Sequence, residues 1–237
     1  LYDTEVGFKQ TGEKLSLGIN LYHMDYTNQL VLTGQINDVG AFTRTNIDKS
    51  FRKGVELEAN IKLGNKINWS GNLTISENKI ISYTAYIDNW DTWIQEEIEY
   101  KNTDLAFSPK QIWASVLNYN LDNNTTINFI SKYVGEQFID NTSSDNRKLS
   151  DYLTNNMRIS YKWDSEIFKN AKITLQINNL MNNEYVSNAW VYQFISEGFD
   201  PRDSNPYVNT NTEGGYNMAG YFPEATRNYL LGITLGF

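Results

Sequence analysis

The sequence contains no cysteine and a single histidine, His23, among its 237 residues. Disulfide-stabilised folds and thiol nucleophiles are excluded because both require cysteine. Zinc sites built from clusters of cysteine and histidine are excluded for the same reason. Any hydrolase of the Ser-His type would have to use His23. We assign no catalytic residue, no metal ligand and no resident cofactor from the sequence.

Positive charge is also scarce, because 20 lysines and arginines stand against 28 aspartates and glutamates and leave a formal net charge of -8. The sequence pI is about 4.8. Proteins bind nucleic acids chiefly by neutralising phosphates with clustered basic residues, and the sequence shows no basic stripe. We expect no nucleic-acid partner.

Long hydrophobic runs are missing as well, and the mean hydropathy is -0.53. The longest apolar stretches, such as 112–117, fall far short of the ~18 residues that a spanning helix needs. No transmembrane helix is predicted. The chain begins at Leu1 without a basic or apolar leader, so we interpret it as a piece of a longer protein.

Alternation of apolar and polar residues with a period of two recurs along the whole sequence. Runs that begin at Leu15, Val55, Ile67 and Ile173 place large apolar side chains at every second position. This period is typical of β-strands with one apolar and one polar face. The clearest run ends the chain, with apolar residues at Tyr229, Leu231, Ile233, Leu235 and Phe237.

The connections between these runs alternate between short turns and long polar segments. Counting the runs predicts about nine strands, near 2–11, 14–31, 44–63, 66–82, 107–120, 124–136, 149–163, 171–186 and 223–237. The long connections are 33–44, 83–107, 137–148 and 186–222. An antiparallel meander with short turns at one end and long loops at the other is typical of a transmembrane β-barrel. We predict an all-β fold that forms part of such a barrel.

The polar faces of the strands indicate a wide barrel. They carry charged and amide side chains, namely Arg52, Glu56, Glu58, Asn72, Lys172 and Gln176. A narrow barrel cannot hold such groups dry, whereas large barrels keep a wet or plugged lumen. Nine strands are too few for a wide barrel, so we expect that this part does not close alone.

Five segments resemble the C-terminal β-barrel portion of TonB-dependent outer-membrane receptors, and the resemblance covers residues 1–237. The segments are 5–9 (EVGFK), 53–59 (KGVELEA), the pair Ser108 and Pro109, 178–185 (NNLMNNEY) and 222–229 (FPEATRNY). They occur in the order that the family has, although Met181 stands where the family usually has phenylalanine. The asparagine-rich usage is most similar to that of receptors from Bacteroidota.

The resemblance implies a barrel of about 22 strands in the bacterial outer membrane, whose plug domain is absent from this chain. It implies active import of a bulky, scarce solute such as an iron chelate, a cobalamin-like cofactor or an oligosaccharide. The implied partners are outer-membrane lipid, the energy-transducing TonB complex, reached through the missing N-terminal part, and the barrel-assembly machinery. An accessory surface lipoprotein is a further candidate.

Aromatic residues in two of the long connections are the candidate ligand-binding residues. They are Tyr86, Trp90 and Trp93 in 83–107, and Trp190, Tyr192 and Tyr207 in 186–222. Aromatic rings beside carboxylates can hold a sugar or a chelate. The alternative is a folded loop that packs its own aromatic side chains.

The alternating residues of the last strand are a candidate assembly signal, because a C-terminal aromatic on such a strand resembles the signal that the barrel-assembly machinery reads. This signal comprises Tyr229, Leu231, Ile233, Leu235 and Phe237. Two rival functions stay open. One is an outer-membrane barrel enzyme that uses His23, and the other is a soluble all-β carbohydrate-binding domain.

Overall fold

The computed structural model describes residues 1–211 and 214–236, and most of them lie in antiparallel β-strands. The strands of the main meander are β1 (Tyr2–Thr11), β2 (Leu15–Ile36), β3 (Phe42–Leu63), β4 (Ile67–Asn89), β6 (Gln111–Asn120), β7 (Thr125–Val134), β10 (Tyr152–Trp163), β11 (Lys169–Asn178) and β15 (Asn228–Gly236). Six further strands lie in the long connections: β5 (Ile94–Asp104), β8 (Gln137–Phe138), β9 (Lys148–Leu149), β12 (Val186–Ile195), β13 (Val208–Thr210) and β14 (Tyr216–Pro223). A short 3-10 helix spans Pro201–Asp203.

The nine strands of the meander pair in chain order, β1-β2-β3-β4-β6-β7-β10-β11-β15. This order confirms the predicted meander of nine strands. Its ends are β1 and β15, so the described sheet is open. We call it the wall. Short turns lie at one edge of the wall, the turn end, and the long connections lie at the opposite edge, the loop end. No helix among the described residues has the length and apolar character needed to cross a bilayer.

Several strand boundaries differ from the prediction, because β2 ends at Ile36 rather than 31, β4 ends at Asn89 rather than 82, and β15 begins at Asn228 rather than 223. The eighth strand was expected over 171–186, but β11 ends at Asn178. The next residue, Asn179, adopts a positive φ of 49°. Its side chain accepts a hydrogen bond from the Asn183 backbone nitrogen at 3.0 Å and donates to the Asn183 carbonyl at 2.8 Å. Asparagine favours this left-handed conformation and this type of local bond, which turns the chain out of the sheet.

The apolar rows of the wall share one face. Across β11 and β15, Ile173 pairs with Ile233 and Leu175 pairs with Leu231, and directly paired residues point to the same side of a sheet. Leu231 is 67% exposed and Ile233 is 62% exposed. An exposed apolar face this large is unfavourable in water and suits lipid. It argues against a soluble carbohydrate-binding domain.

Aromatic pairs lie at both edges of this apolar face. Tyr161 and Trp163 stack at the turn end with ring centroids 6.1 Å apart. Trp113 and Tyr133 stack at the loop end with centroids 5.8 Å apart. Two such bands are typical of the two membrane interfaces of a barrel.

The opposite face of the wall is polar, as predicted. Lys9 forms an ion pair with Glu58 at 2.8 Å. Asn20 donates hydrogen bonds to Glu5 at 3.1 Å and to Glu56 at 3.4 Å. These charged groups lie on the side that lines the lumen of a barrel.

Candidate ligand-binding face at the loop end

The connections 83–107 and 186–222 form a second, smaller sheet rather than irregular loops. Its strand order is β5-β4-β12-β14-β13, in which the outer part of β4 takes part. β12 runs parallel to β4 through the pairs Phe194–Asp88 and Ile195–Asn89, and antiparallel to β14 through the pair Phe194–Tyr216. We call this the loop-end sheet. The long connections 83–107 and 186–222 therefore contain strands that were not predicted from the sequence.

The back face of the loop-end sheet is buried. Ile87 and Ala189 are fully buried, and Val191 and Ala219 are nearly so. Ala189, Val191 and Ala219 pack with Ile139 and Leu149, which come from the connection between β7 and β10. The loop-end sheet therefore has its own small apolar core, which holds it in a fixed position.

A buried ion pair lies behind the same face. Arg147 and Asp140 are both about 1% exposed, and the Arg147 Nε atom lies 2.8 Å from Asp140 Oδ2. Arg147 also donates to Thr142 Oγ1 at 2.7 Å and to Asn217 Oδ1 at 3.2 Å. Gln193 donates to Asp140 Oδ2 at 2.8 Å. Burial raises the pKa of the Asp140 carboxyl, while Arg147 and the Thr142 hydrogen bonds act in the opposite direction.

Asn141 extends this network to two other parts of the loop end. Its side-chain nitrogen donates to the Leu32 carbonyl at 2.7 Å, and its side-chain oxygen accepts from the Ala106 backbone nitrogen at 2.9 Å. We call Asp140, Asn141, Thr142 and Arg147 the buried node. Because the node lies in 137–148 and contacts the end of β2, the segment after β5 and the loop-end sheet, it joins three of the long connections to β2.

The front face of the loop-end sheet is aromatic. The Trp90 ring stacks on Phe194 with centroids 4.0 Å apart, and Phe194 stacks on Tyr216 at 5.4 Å. Trp90 Nε1 donates to the Tyr192 hydroxyl at 3.2 Å, and that hydroxyl donates to Asp88 Oδ2 at 2.6 Å. Burial and the Asp88 carboxylate raise the pKa of Tyr192 to about 12, so its hydroxyl stays protonated at neutral pH.

An exposed ion pair borders the front face. The Arg202 guanidinium lies 5.7 Å from the centre of the Tyr216 ring. Its Nε atom donates to both carboxylate oxygens of Asp200, at 2.9 and 3.0 Å. These hydrogen bonds lower the pKa of Asp200 to about 2. This edge of the face thus combines a cation with a carboxylate that stays ionised.

Four of the six predicted ligand-binding residues lie on the front face. Trp90 and Tyr192 are in contact. Tyr86 and Trp190 alternate with Asp88 and Tyr192 along their strands, so they point to the same side. That these residues bind a ligand stays a prediction.

The two other predicted residues lie outside this face. Trp93 occupies the turn between β4 and β5 and is 88% exposed, and Tyr207 precedes β13 and is also exposed. The sequence reasoning missed Phe194 and Tyr216. The period-two run Trp190, Tyr192, Phe194 was a usable signal for the first of these.

His23 lies on the apolar side of the wall, near the loop end. It pairs with Lys53 across β2 and β3, and the next pair on that face is Leu21 with Val55. His23 Nε2 lies 3.2 Å from Asp25 Oδ2, and the imidazole stacks on Phe51. This position is away from both the lumen wall and the front face.

The candidate assembly signal lies on β15. Tyr229, Leu231, Ile233 and Leu235 alternate along the exposed apolar face of this strand. Phe237 lies outside the described residues. The proposed recognition of this strand during assembly stays a prediction.

The chain belongs to the family described as TonB dependent receptor-like, beta-barrel, whose sequence profile matches residues 2–180. The chain is therefore part of a β-barrel of the bacterial outer membrane. Because such barrels have short periplasmic turns and longer extracellular loops, the loop end is extracellular. Comparison with curated proteins finds no match.

Solved structures show the same fold at low sequence identity. The siderophore receptor PiuA from Acinetobacter baumannii is 18% identical, with a TM-score of 0.64, over 98% of this chain and 28% of that one. The ferric yersiniabactin uptake receptor FyuA from Yersinia pestis is 14% identical, with a TM-score of 0.61, over 98% and 28%. The ferric citrate transporter FecA is 18% identical, with a TM-score of 0.60, over 98% and 30%. The chain thus spans less than a third of these structures.

Proposed function

We propose that the complete protein imports a scarce, bulky solute across the outer membrane and that the front face of the loop-end sheet binds this solute outside the cell. The observation that carries the proposal is the aromatic front face, held at the extracellular end of a wall whose other side is polar. Similar structures, one named as a siderophore receptor and one as a ferric citrate transporter, support it. A rigid sheet positions binding groups more accurately than a mobile loop does.

The proposal assigns residues 1–237 to the C-terminal part of the barrel. The plug domain and the contact with the energy-transducing TonB complex then belong to the rest of the protein, since this chain spans less than a third of similar structures. The polar side of the wall would face the plug. The barrel-assembly machinery would recognise β15, and an accessory surface lipoprotein would approach from the loop end.

The proposed function is non-enzymatic. A barrel hydrolase of the Ser-His type would place its histidine beside a nucleophile in reach of substrate. His23 instead lies on the apolar side of the wall beside Asp25 and Phe51. Its position supports a structural role at the membrane rim.

The test uses the full-length gene in its own host. Deletion should abolish growth on one scarce nutrient, and the full-length protein should restore growth and accumulate the labelled solute. Because outer-membrane import draws energy from the inner membrane, a protonophore should stop accumulation but leave surface binding intact. Uptake that continues with the protonophore would contradict the proposal. The His23→Ala variant should transport normally, and a hydrolytic activity lost in that variant would favour the enzyme.

A further inference from the structure

The extracellular end carries the whole net charge of the chain. The connections 33–44, 83–107, 137–148 and 186–222 together contain thirteen acidic and five basic residues, which is a net charge of -8. The wall strands and short turns are therefore neutral in sum. A field of this sign at a binding mouth repels anions over about a Debye length, ~8 Å at physiological salt. Polyanionic chelates are disfavoured at this surface.

The front face is flat and elongated. Trp190, Tyr192 and Phe194 alternate along one side of β12, and the rise of ~3.3 Å per residue spreads them over about 13 Å. Trp90 covers Phe194 from the neighbouring strand. Trp190 lies over Gly220 of β14, where a Cβ atom would overlap the indole. Phe194 is only 1% exposed beneath Trp90, so the accessible part of the strip consists of Trp190 and Tyr192, which are partly exposed, with Trp90, which is 37% exposed. These three rings can contact more than one ring of a ligand.

Hydrogen-bond acceptors border this strip. Asp88 accepts from Tyr192 and from Gln95, while Glu97 lies directly opposite Tyr86 on β5. Ionised carboxylates are acceptors only, with about four lone-pair sites each, so they suit a ligand that is rich in hydroxyl donors. Sugars combine an apolar C–H face with such hydroxyl groups at the ring edge.

We propose that the front face binds an uncharged oligosaccharide, with the sugar rings on the aromatic strip and the hydroxyls on the bordering carboxylates. This inference rests on the proposed function and names its substrate class. A quaternary ammonium ligand would instead require rings that enclose the cation. Here Trp90 is stacked on the buried Phe194 ring, 14° from parallel, so it offers a ligand one outer face rather than the walls of a cage.

The test measures binding by the full-length receptor in detergent. Probes are uncharged oligosaccharides of α-glucan, β-glucan, mannan and xylan, together with the anionic complex ferric tris-catecholate and with choline. We expect one oligosaccharide series to bind, with affinity that rises with chain length, and the two charged probes to bind no better than to a detergent control. Trp90→Ala should weaken oligosaccharide binding about tenfold, because it removes a stacking surface.

Matched variants separate binding from folding. Trp93→Ala removes a tryptophan only three residues away that lies outside the face, so it should leave the affinity unchanged. Tyr86→Ala removes a half-exposed ring of the face without disturbing the stack on Phe194, and it should also weaken oligosaccharide binding. This variant keeps the test decisive if Trp90→Ala disturbs folding. Equal losses in Trp90→Ala and Trp93→Ala would overturn the assignment of the face.

The outcomes separate this inference from the proposed function. Binding and energy-dependent uptake of ferric tris-catecholate would overturn the oligosaccharide assignment while leaving the import function intact. Failure to bind any oligosaccharide in the panel would also overturn it. Oligosaccharide binding without energy-dependent uptake would support the inference and contradict the import function.

Discussion

The wall and the loop-end sheet are both antiparallel in large part, yet they are stabilised in opposite ways. The wall turns its apolar side chains outward, and Leu231 is 67% exposed, so lipid must cover them. The loop-end sheet turns its apolar side chains inward, and Ile87 is fully buried. The wall pairs strands that follow one another in the chain, whereas the loop-end sheet joins Asp88 to Tyr192 across 104 residues. One region depends on the membrane, and the other has a core of its own.

The strongest test of this comparison removes the cation of the buried node. Arg147→Met should leave Asp140 buried without its ion partner, at a cost of about 3–5 kcal/mol. We expect the loop-end sheet to open locally while the wall stays folded. Hydrogen exchange and surface proteolysis of the full-length receptor should show lost protection in 83–107, 137–148 and 186–222 but not in the wall. Opening of the wall to the same extent would show that the two regions fold as one.

A matched control uses the exposed arginine of the same region. Arg202→Met removes the ion pair with Asp200. The side chains of both residues are about half exposed. Exposed ion pairs contribute little to the free energy of unfolding. Protection of the loop-end sheet from hydrogen exchange and proteolysis should therefore change much less in Arg202→Met than in Arg147→Met.

The second test acts where the wall meets the loop end. Asn179→Ala removes side-chain bonds to Asn183 and to the Ala225 carbonyl and places alanine at a φ of 49°. Together these losses should cost about 3 kcal/mol. The melting temperature of the detergent-solubilised barrel should fall. Asn179→Gly tolerates the positive φ and should lose only the hydrogen bonds, so a fall equal to that of alanine would exclude a contribution from backbone strain.

The third test acts on the wall alone. Trp69 lies across Gly71 and donates to the Ser115 hydroxyl at 2.8 Å, and a Cβ atom at Gly71 would approach the Trp69 ring to 2.7 Å. Gly71→Val should displace the indole and cost about 2 kcal/mol by overpacking. Gly232→Ala is the control, because the nearest atom to a Cβ there lies 4.0 Å away. Ligand binding at the loop end should be normal in both variants. Loss of binding in Gly71→Val would show that the packing of the wall controls the structure of the loop-end sheet.

The same contrast explains what could be predicted from the sequence. All nine wall strands were predicted, because several show an apolar face with a period of two, for example from Leu15 to Leu21, and the alternation of short turns and long connections placed the others. The loop-end sheet was missed as a sheet. Its pairing of Asp88 with Phe194 joins distant parts of the chain, and no local pattern encodes such a contact. Arg147 and Asp140 gave no signal either, since charged residues in a polar segment are ordinarily solvated.

The smallest expected effect concerns the pH response of the front face. The pKa of Tyr192 is raised to about 12 by burial and by Asp88, from an ordinary value of about 10. Because this pKa is raised, the contribution of protonated Tyr192 to the folding stability is complete below about pH 10 and is lost as the pH rises through about 12. Ionisation of Tyr192 should therefore have no effect on oligosaccharide binding between pH 7 and pH 9. In an alkaline ultraviolet titration, Tyr192→Phe should remove one late-ionising phenol and leave the late phenol of buried Tyr83, whose pKa is also about 12. A titration in which the variant loses an early-ionising phenol instead would show that Tyr192 is open to solvent and that the front face is not packed as described.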